Sequence, residues 1–145
     1  MSYWRMFYHV TWATKRRESV ITTEMEAVLF PVIVTKSCEL GAIVYALNGT
    51  MDHVHLAVAI PPSIGVGDFV GQVKGRATYA VNKQFACDFG WQTGYGVHTF
   101  GEKQLSWVID YVEHQKEHHA AQTPLQAALE MSTSEDDGPP YVLPE

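Results

Sequence analysis

At 145 residues and 46% hydrophobic content, the chain can bury a sizeable core as one globular domain without disulfide or metal staples. Cys38 and Cys87 stand far apart with no CxxC spacing and no secretory leader is expected before them, which argues against a zinc ribbon or disulfide scaffold; no apolar run approaches the roughly 18 residues of a membrane span. The net charge of −6 argues against general nucleic-acid binding until it is divided: residues 1–119 hold all 10 Lys and Arg against 11 acids, while 120–145 hold five acids and no base. Residues 1–119 are therefore read as the functional domain, and 120–145, ending "MSTSEDDGPPYVLPE", as an acidic, flexible tail. With a near-neutral body, nucleic-acid contacts fall to local basic clusters, "TKRR" (Lys15, Arg16, Arg17) and "KGR" (Lys74, Arg76).

In chain order, "YWRMFYHVTWAT" is β-rich and ends at the first basic turn. "TTEMEAVLFPVIVTKSCELG" opens with a capping signal, Thr22 or Thr23 ahead of Glu26, and stops at Gly41; Pro31 inside it implies either a kink or a later start. "AIVYALNGT" and "DHVHLAVAI" read as two strands joined by a turn around Asn48 and Gly49. After Pro61 and Pro62, "VGDFVGQVKGRATYAVNKQF" carries Phe69, Val70, Val73, Ala77, Ala80 and Val81 at helical spacing. "WQTGYGVHTF" is a glycine-punctuated strand or loop, in which Trp91 and Tyr95 are either stacking platforms for an unpaired base or packing. "EKQLSWVIDYVEHQKEHH" is a closing helix. The order β-α-β-β-α-β-α predicts an α+β, ferredoxin-like (split βαβ) antiparallel sheet with helices on one face plus a C-terminal helix bearing Tyr111.

Within the second strand of the hairpin, "DHVHLAVAI", residues two apart share a face, so His53 and His55 point the same way. Val54, Leu56, Val58 and Ile60 form the opposite, core-facing stripe, while Ala57 and Ala59 are expected to keep the histidine face small and open. Two imidazoles so placed are half of a metal or phosphate site, or simply two histidines on a solvated strand face. Asp52, next to His53, is either a turn residue or a partner that orients the imidazole. On the closing helix Tyr111 and Gln115 lie four apart on one face, above an apolar stripe of Leu105, Val108, Ile109 and Val112. His114, His118 and His119 offer a further ligand or a solvated helix end where cations are favoured. The face of His9 on the first strand is left open by the pattern alone.

Taken together, "DHVHL", "WQTGYGV" and "YVEHQ", with "FYHVTWATKRR", "NGTMDHVHL", "IPP" and "QVKGRAT", resemble the single-tyrosine HUH transposases of small bacterial insertion sequences, the IS200-like family related to transposases of repetitive extragenic palindromes (REP). The resemblance covers about four-fifths of the chain. It implies Tyr111 as nucleophile and His53, His55 and Gln115 as ligands of a divalent metal, Mg²⁺ or Mn²⁺. It also implies a single-stranded DNA hairpin as partner, a homodimer with active sites shared in trans, and a bacterial cytoplasmic, nucleoid-associated setting without a membrane. The acidic tail and a less basic body depart from the family pattern, and "GYGVHTF" lacks the basic-polar signature of the REP-associated branch.

The residue types suit the chemistry implied. Tyrosine attack on a phosphodiester forms a 5′-phosphotyrosine and frees a 3′-OH, conserving the bond energy for rejoining. A phenol with a reference pKa of about 10 is both a weak nucleophile and a good leaving group, which suits a reversible step. Two neutral imidazoles and an amide oxygen leave coordination positions for phosphate oxygens, and imidazole donors favour Mn²⁺ over Mg²⁺ in affinity. The competing expectations are a noncatalytic nucleic-acid-binding module with incidental histidines and a domesticated nuclease acting on REP sequences.

Overall fold

Strong alternation of side-chain type along two neighbouring strands decides how the chain is layered. In β1 (Phe7–Ala13), Val10 and Trp12 point to one face and His9 and Thr11 to the other; in β3 (His53–Ala59), Val54, Leu56 and Val58 oppose His53, His55 and Ala57. The computed structural model describes residues 3–118 and joins these strands to β2 (Ile43–Gly49) and β4 (Gly96–Phe100) in the order β2-β3-β1-β4, every neighbour antiparallel. Helices α1 (Thr23–Glu39) and α2 (Val66–Phe85) cover the apolar face, and α3 (Leu105–Glu113) followed by α4 (Gln115–His118) closes the chain. This is the split βαβ sheet that the sequence pattern predicts. The tail from residue 120 lies outside the described residues.

The main core lies between the sheet and α1/α2, where Trp12, Leu29, Ile33, Leu56 and Phe69 are fully buried. A second, smaller core forms on the other face, where Val108, Tyr111 and Val112 of α3 pack on Ala46 and Ala57. β3 is therefore buried on both sides, from His53 through Ala59. The alanines do not leave the histidine face open: their small side chains bring α3 close to the sheet, and Ala57 is completely covered.

Local signals hold with three adjustments. Thr22 caps α1, its Oγ1 accepting from Met25 N at 3.1 Å, and the helix starts at once and runs through Pro31, whose exposed position keeps the ring out of the core. Asn48 and Gly49 are the last residues of β2, and the hairpin turn is Thr50–Asp52, closed by Thr50 N donating to His53 O at 2.9 Å. The closing helix is not continuous, because it breaks at His114. Asn48 Nδ2 takes the Glu113 carbonyl at 2.9 Å, the acceptor that an unbroken helix would offer to Glu117 N, and Glu117 N turns to His114 O at 3.0 Å.

Gly49 marks where the hairpin is tightest. A Cβ there would sit 2.4 Å from the His53 carbonyl oxygen and 3.1 Å from Val54 Cα, both backbone atoms that have no rotamer to yield. Gly49→Ala is expected to lower stability by about 1–3 kcal/mol through overpacking, read as a lower denaturant midpoint, whereas Gly71→Ala, with open space around the position, should not lower it.

Candidate active site

Burial of an imidazole requires that its polar atoms find partners, and the structure supplies them from turns and strand neighbours. His53 and His55 are 1% and 0% exposed, on one face of β3 with ring centroids 4.9 Å apart. His53 Nδ1 donates to Asp52 Oδ1 at 2.6 Å and lies 2.9 Å from Thr50 Oγ1, whose hydroxyl in turn donates to Asp52 Oδ1 at 3.1 Å. Burial alone would raise the Asp52 pKa, but the hydrogen bond and charge of His53, with Thr50 and Arg17, hold it below the usual carboxylate value. The structure realises both sequence readings of Asp52: it lies in the hairpin turn and its carboxylate orients the His53 imidazole. Its main chain is fixed as well: Thr14 N donates to Asp52 O at 2.8 Å, and Thr14 Oγ1 lies 3.1 Å from the same oxygen.

His55 is held differently. Its Nδ1 lies 2.8 Å from His9 Nε2 and 3.4 Å from Thr11 Oγ1, both on β1. His9, whose face the sequence left open, thus shares the face of the HxH pair and is fully buried.

Tyr111 comes to the same cluster from α3, 2% exposed, its ring edge-on to His55 at 5.8 Å and to His9 at 6.0 Å. Trp107, one turn earlier and 43% exposed, stacks on the Tyr111 ring at 5.6 Å and 7°. Gln115 is fully buried at the first residue of α4. Although the helix breaks between them, His114 N still donates to Asp110 O at 3.1 Å, which keeps Tyr111 and Gln115 on the buried side. Asn48, paired in register with His55, anchors this end of the helix through Glu113 O and through its Oδ1, which accepts from Lys116 Nζ at 2.7 Å. Sequence reasoning placed Asn48 in a turn and did not single out Trp107; strand parity, had the turn been placed correctly, would have put Asn48 beside His55.

Other sequence candidates separate. His114 is exposed, and its pKa is raised by a hydrogen bond to the Asp110 backbone and by the Asp110 charge, consistent with a solvated helix end. His118 is the last residue of α4, and His119 lies outside the described residues. Lys15, Arg16 and Arg17 form a 3-10 turn after β1, with Arg16 and Arg17 at positive φ (57° and 53°) and exposed. Lys74 and Arg76, two apart on α2, diverge by about 200° around the helix. Lys74 Nζ turns inward to Gln92 O and Gly94 O at 2.9 and 2.8 Å, its pKa lowered by burial, while Arg76 is exposed beside Glu39. Trp91 is packing, against Trp12 at 5.9 Å and Phe89 at 4.8 Å, and Tyr95 packs against the main core.

Among the described residues no three His, Cys, Asp or Glu side chains are placed to hold a common ion. A divalent metal held by His53 and His55 would take its third protein donor from another residue type, and Gln115, fully buried at the start of α4, carries an amide oxygen of the kind required. The donor set of two imidazoles and one amide fits an intermediate ion such as Mn²⁺, and Mg²⁺ less tightly.

A protein-family model described as "Transposase IS200 like" matches residues 2–115. The chain belongs to the IS200-like transposase family. Its activity class is accordingly DNA transposition by a mobile-element enzyme. The transposase for insertion sequence element IS200 of Salmonella typhimurium is 29% identical over 123 residues, 79% of each chain, and the ISDra2 transposase TnpA of Deinococcus radiodurans is 25% identical over 119 residues, 77% of this chain and 85% of that one. Among solved structures, a transposase candidate of Deinococcus radiodurans R1 superposes with a TM-score of 0.64 at 27% identity, over 79% of this chain and 95% of that one. A REP-associated tyrosine transposase bound to a REP hairpin shares the fold, with a TM-score of 0.60 at 17% identity over 83% and 75%. No helix among the described residues of this transposase is long and apolar enough to cross a membrane.

The hold of Asn48 on the helix end is testable. Asn48→Ala should cost about 0.5–1.5 kcal/mol, the net value of a hydrogen bond, and should raise amide hydrogen exchange at His114–Glu117 more than in α1. Unchanged exchange there would mean that the α3/α4 break is held by packing alone.

Proposed function

We propose that this transposase cleaves and rejoins single-stranded DNA at the hairpin-marked ends of an insertion sequence through a covalent 5′-phosphotyrosine on Tyr111. The observation that carries this reading is the burial of Tyr111 edge-on to His55, in a cluster whose imidazoles are already oriented by Asp52 and His9. In the forward step the Tyr111 hydroxyl oxygen forms a bond to the scissile phosphorus as its proton passes to solvent, and the bond from phosphorus to the 3′-oxygen breaks, that oxygen taking a proton from solvent to leave a 3′-OH. Rejoining reverses these bonds with a different 3′-OH.

His53, His55 and Gln115 are the residues that would hold a divalent ion, and such an ion, when bound, offsets charge developing on the phosphoryl oxygens. The chain's own contribution is orientation. Asp52 accepts the Nδ1 proton of His53, which leaves His53 Nε2, itself fully buried, as the nitrogen with a lone pair. Lys15, Arg16, Arg17 and Arg76 are exposed and are proposed to contact phosphates. Lys74 supports the same surface indirectly by holding the 92–94 loop.

The decisive assay is a labelled single-stranded hairpin substrate with Mn²⁺ or Mg²⁺, resolved by denaturing electrophoresis. The wild-type protein should give a covalent adduct and Tyr111→Phe none, with hairpin binding retained in both; an adduct from the variant would move the nucleophile elsewhere. Mn²⁺ affinity should fall in His53→Ala and His55→Ala, and less in Gln115→Ala, because an amide oxygen is the weakest donor of the three. Because both imidazoles are buried, thermal melts must accompany these measurements.

The working unit is proposed to be a homodimer that supplies two tyrosines for the exchange of two strands. In the single chain, α3 docks on its own sheet. Mixing Tyr111→Phe with His53→Ala chains tests the alternative docking: a site completed in trans recovers partial cleavage, whereas no recovery in a mixture shown to exchange subunits assigns Tyr111 to the histidines of its own chain.

A further inference from the structure

His9 is fully buried in the middle of β1, and the bond-making steps above do not use it. It stands directly opposite Ala57 in the β1/β3 register, with His55 as its diagonal neighbour. Diagonal positions across an antiparallel pair lie within reach of ring side chains, and the single methyl of Ala57 leaves the space through which the His9 ring leans. The two rings lie 4.9 Å apart at 24°, with Nε2 of His9 2.8 Å from Nδ1 of His55. Thr11, directly opposite His55, is the other group near that nitrogen, but at 3.4 Å it is beyond the usual hydrogen-bond range.

We infer that His9 is a positioning residue for the metal site: its Nε2 accepts the Nδ1 proton of His55 and fixes that ring as the tautomer whose Nε2 is free of a proton. The inference rests on His53 and His55 being metal ligands. With the bond in the opposite sense, His55 Nδ1 would be the acceptor, its proton would sit on Nε2, and neither nitrogen would be left to ligate. The direction of one proton therefore decides whether His55 can serve. His9 would then do for His55 what Asp52 does for His53, so that both imidazoles offer the same nitrogen to one ion. A carboxylate at position 9 would place a charge beneath α3 at the cost of desolvation; a neutral ring supplies the acceptor without it.

Two readouts separate this role from plain packing. In the metal-free protein, long-range proton–nitrogen correlation spectra should show His55 protonated on Nδ1. The signal should shift toward the Nε2–H form in His9→Leu, which keeps bulk but no acceptor, and return in His9→Gln, whose amide oxygen replaces Nε2. By calorimetry, Mn²⁺ affinity should fall about 10–100-fold in His9→Leu, recover most of that loss in His9→Gln, and stay near wild type in Thr11→Val, with thermal melts confirming that each variant is folded. A wild-type His55 protonated on Nε2, or a folded His9→Leu with unchanged tautomer and affinity, overturns the inference; so does a folded His9→Gln that binds as weakly as His9→Leu. If instead wild type and His53→Ala bind Mn²⁺ equally poorly, the ligand assignment itself falls, even where the tautomer pattern is as expected.

Discussion

Three imidazoles excluded from water within one small cluster must each be hydrogen-bonded, and satisfying them arranges much of the surrounding chain. An unsatisfied buried polar group costs about 1–3 kcal/mol, so a fold that hides His9, His53 and His55 under α3 is tenable only with acceptors in fixed places. One acceptor is Asp52 in the hairpin turn, whose own carbonyl is held by Thr14 at the end of β1. Register supplies the other contact, because the β1/β3 pairing brings His9 diagonal to His55. A one-residue slip of that pairing would put the histidines into the α1/α2 core and Val54 and Leu56 beneath α3. The apolar alternation that builds the main core thus also specifies the site.

The same economy of position joins the basic turn to the site. Arg16 and Arg17 occupy left-handed backbone conformations that cost non-glycine residues roughly 1–2 kcal/mol each. The turn is held in place by Lys15 N donating to Gly90 O and by Arg17 N donating to Thr14 O, and Thr14 is the residue that binds the Asp52 carbonyl. Arg17 also contributes to holding Asp52 ionised. The strained turn, the Asp52 carboxylate and the His53 imidazole are therefore mechanically continuous within a few residues.

Much of this was legible in the sequence. Periodicity placed the first three strands, the helices, the HxH face and the buried stripe of α2, because each depends on a local repeat of two or about 3.6 residues, and left β4 open between strand and loop. What was not legible depended on register or on contacts between distant segments. Asn48 resembles a turn residue until its pairing with His55 is known, and the break at His114 follows from Asn48 reaching across to Glu113 O, 65 residues away. The closed histidine face was missed for a simpler reason: alanines read as vacancy, whereas between a sheet and a helix they are what permits close approach. Close in sequence, Lys74 and Arg76 look like one basic cluster, but at about 100° per residue the helix turns them to different sides.

Glycines ahead of the tyrosine helix suggest a hinge, yet the structure narrows it. Gly96 lies within β4, paired to Thr11, and Gly94 belongs to the loop held by Lys74, so the joint between β4 and α3 is only Gly101–Gln104. From Phe100 to Leu105 the chain makes five Cα steps, which span at most about 17–18 Å when extended. Strands lie about 4.8 Å apart, so reaching β3 in the same sheet, two positions from β4, needs about 10 Å. Were two sheets joined through their β4 edges, the partner's β3 would stand three positions away, about 14 Å, within reach of the linker. Joined through β2, it would stand five positions away, about 24 Å, well beyond it. In the proposed dimer, exchange of tyrosine helices therefore requires the β4 edge, and a β2-edge dimer would confine each Tyr111 to the histidines of its own chain.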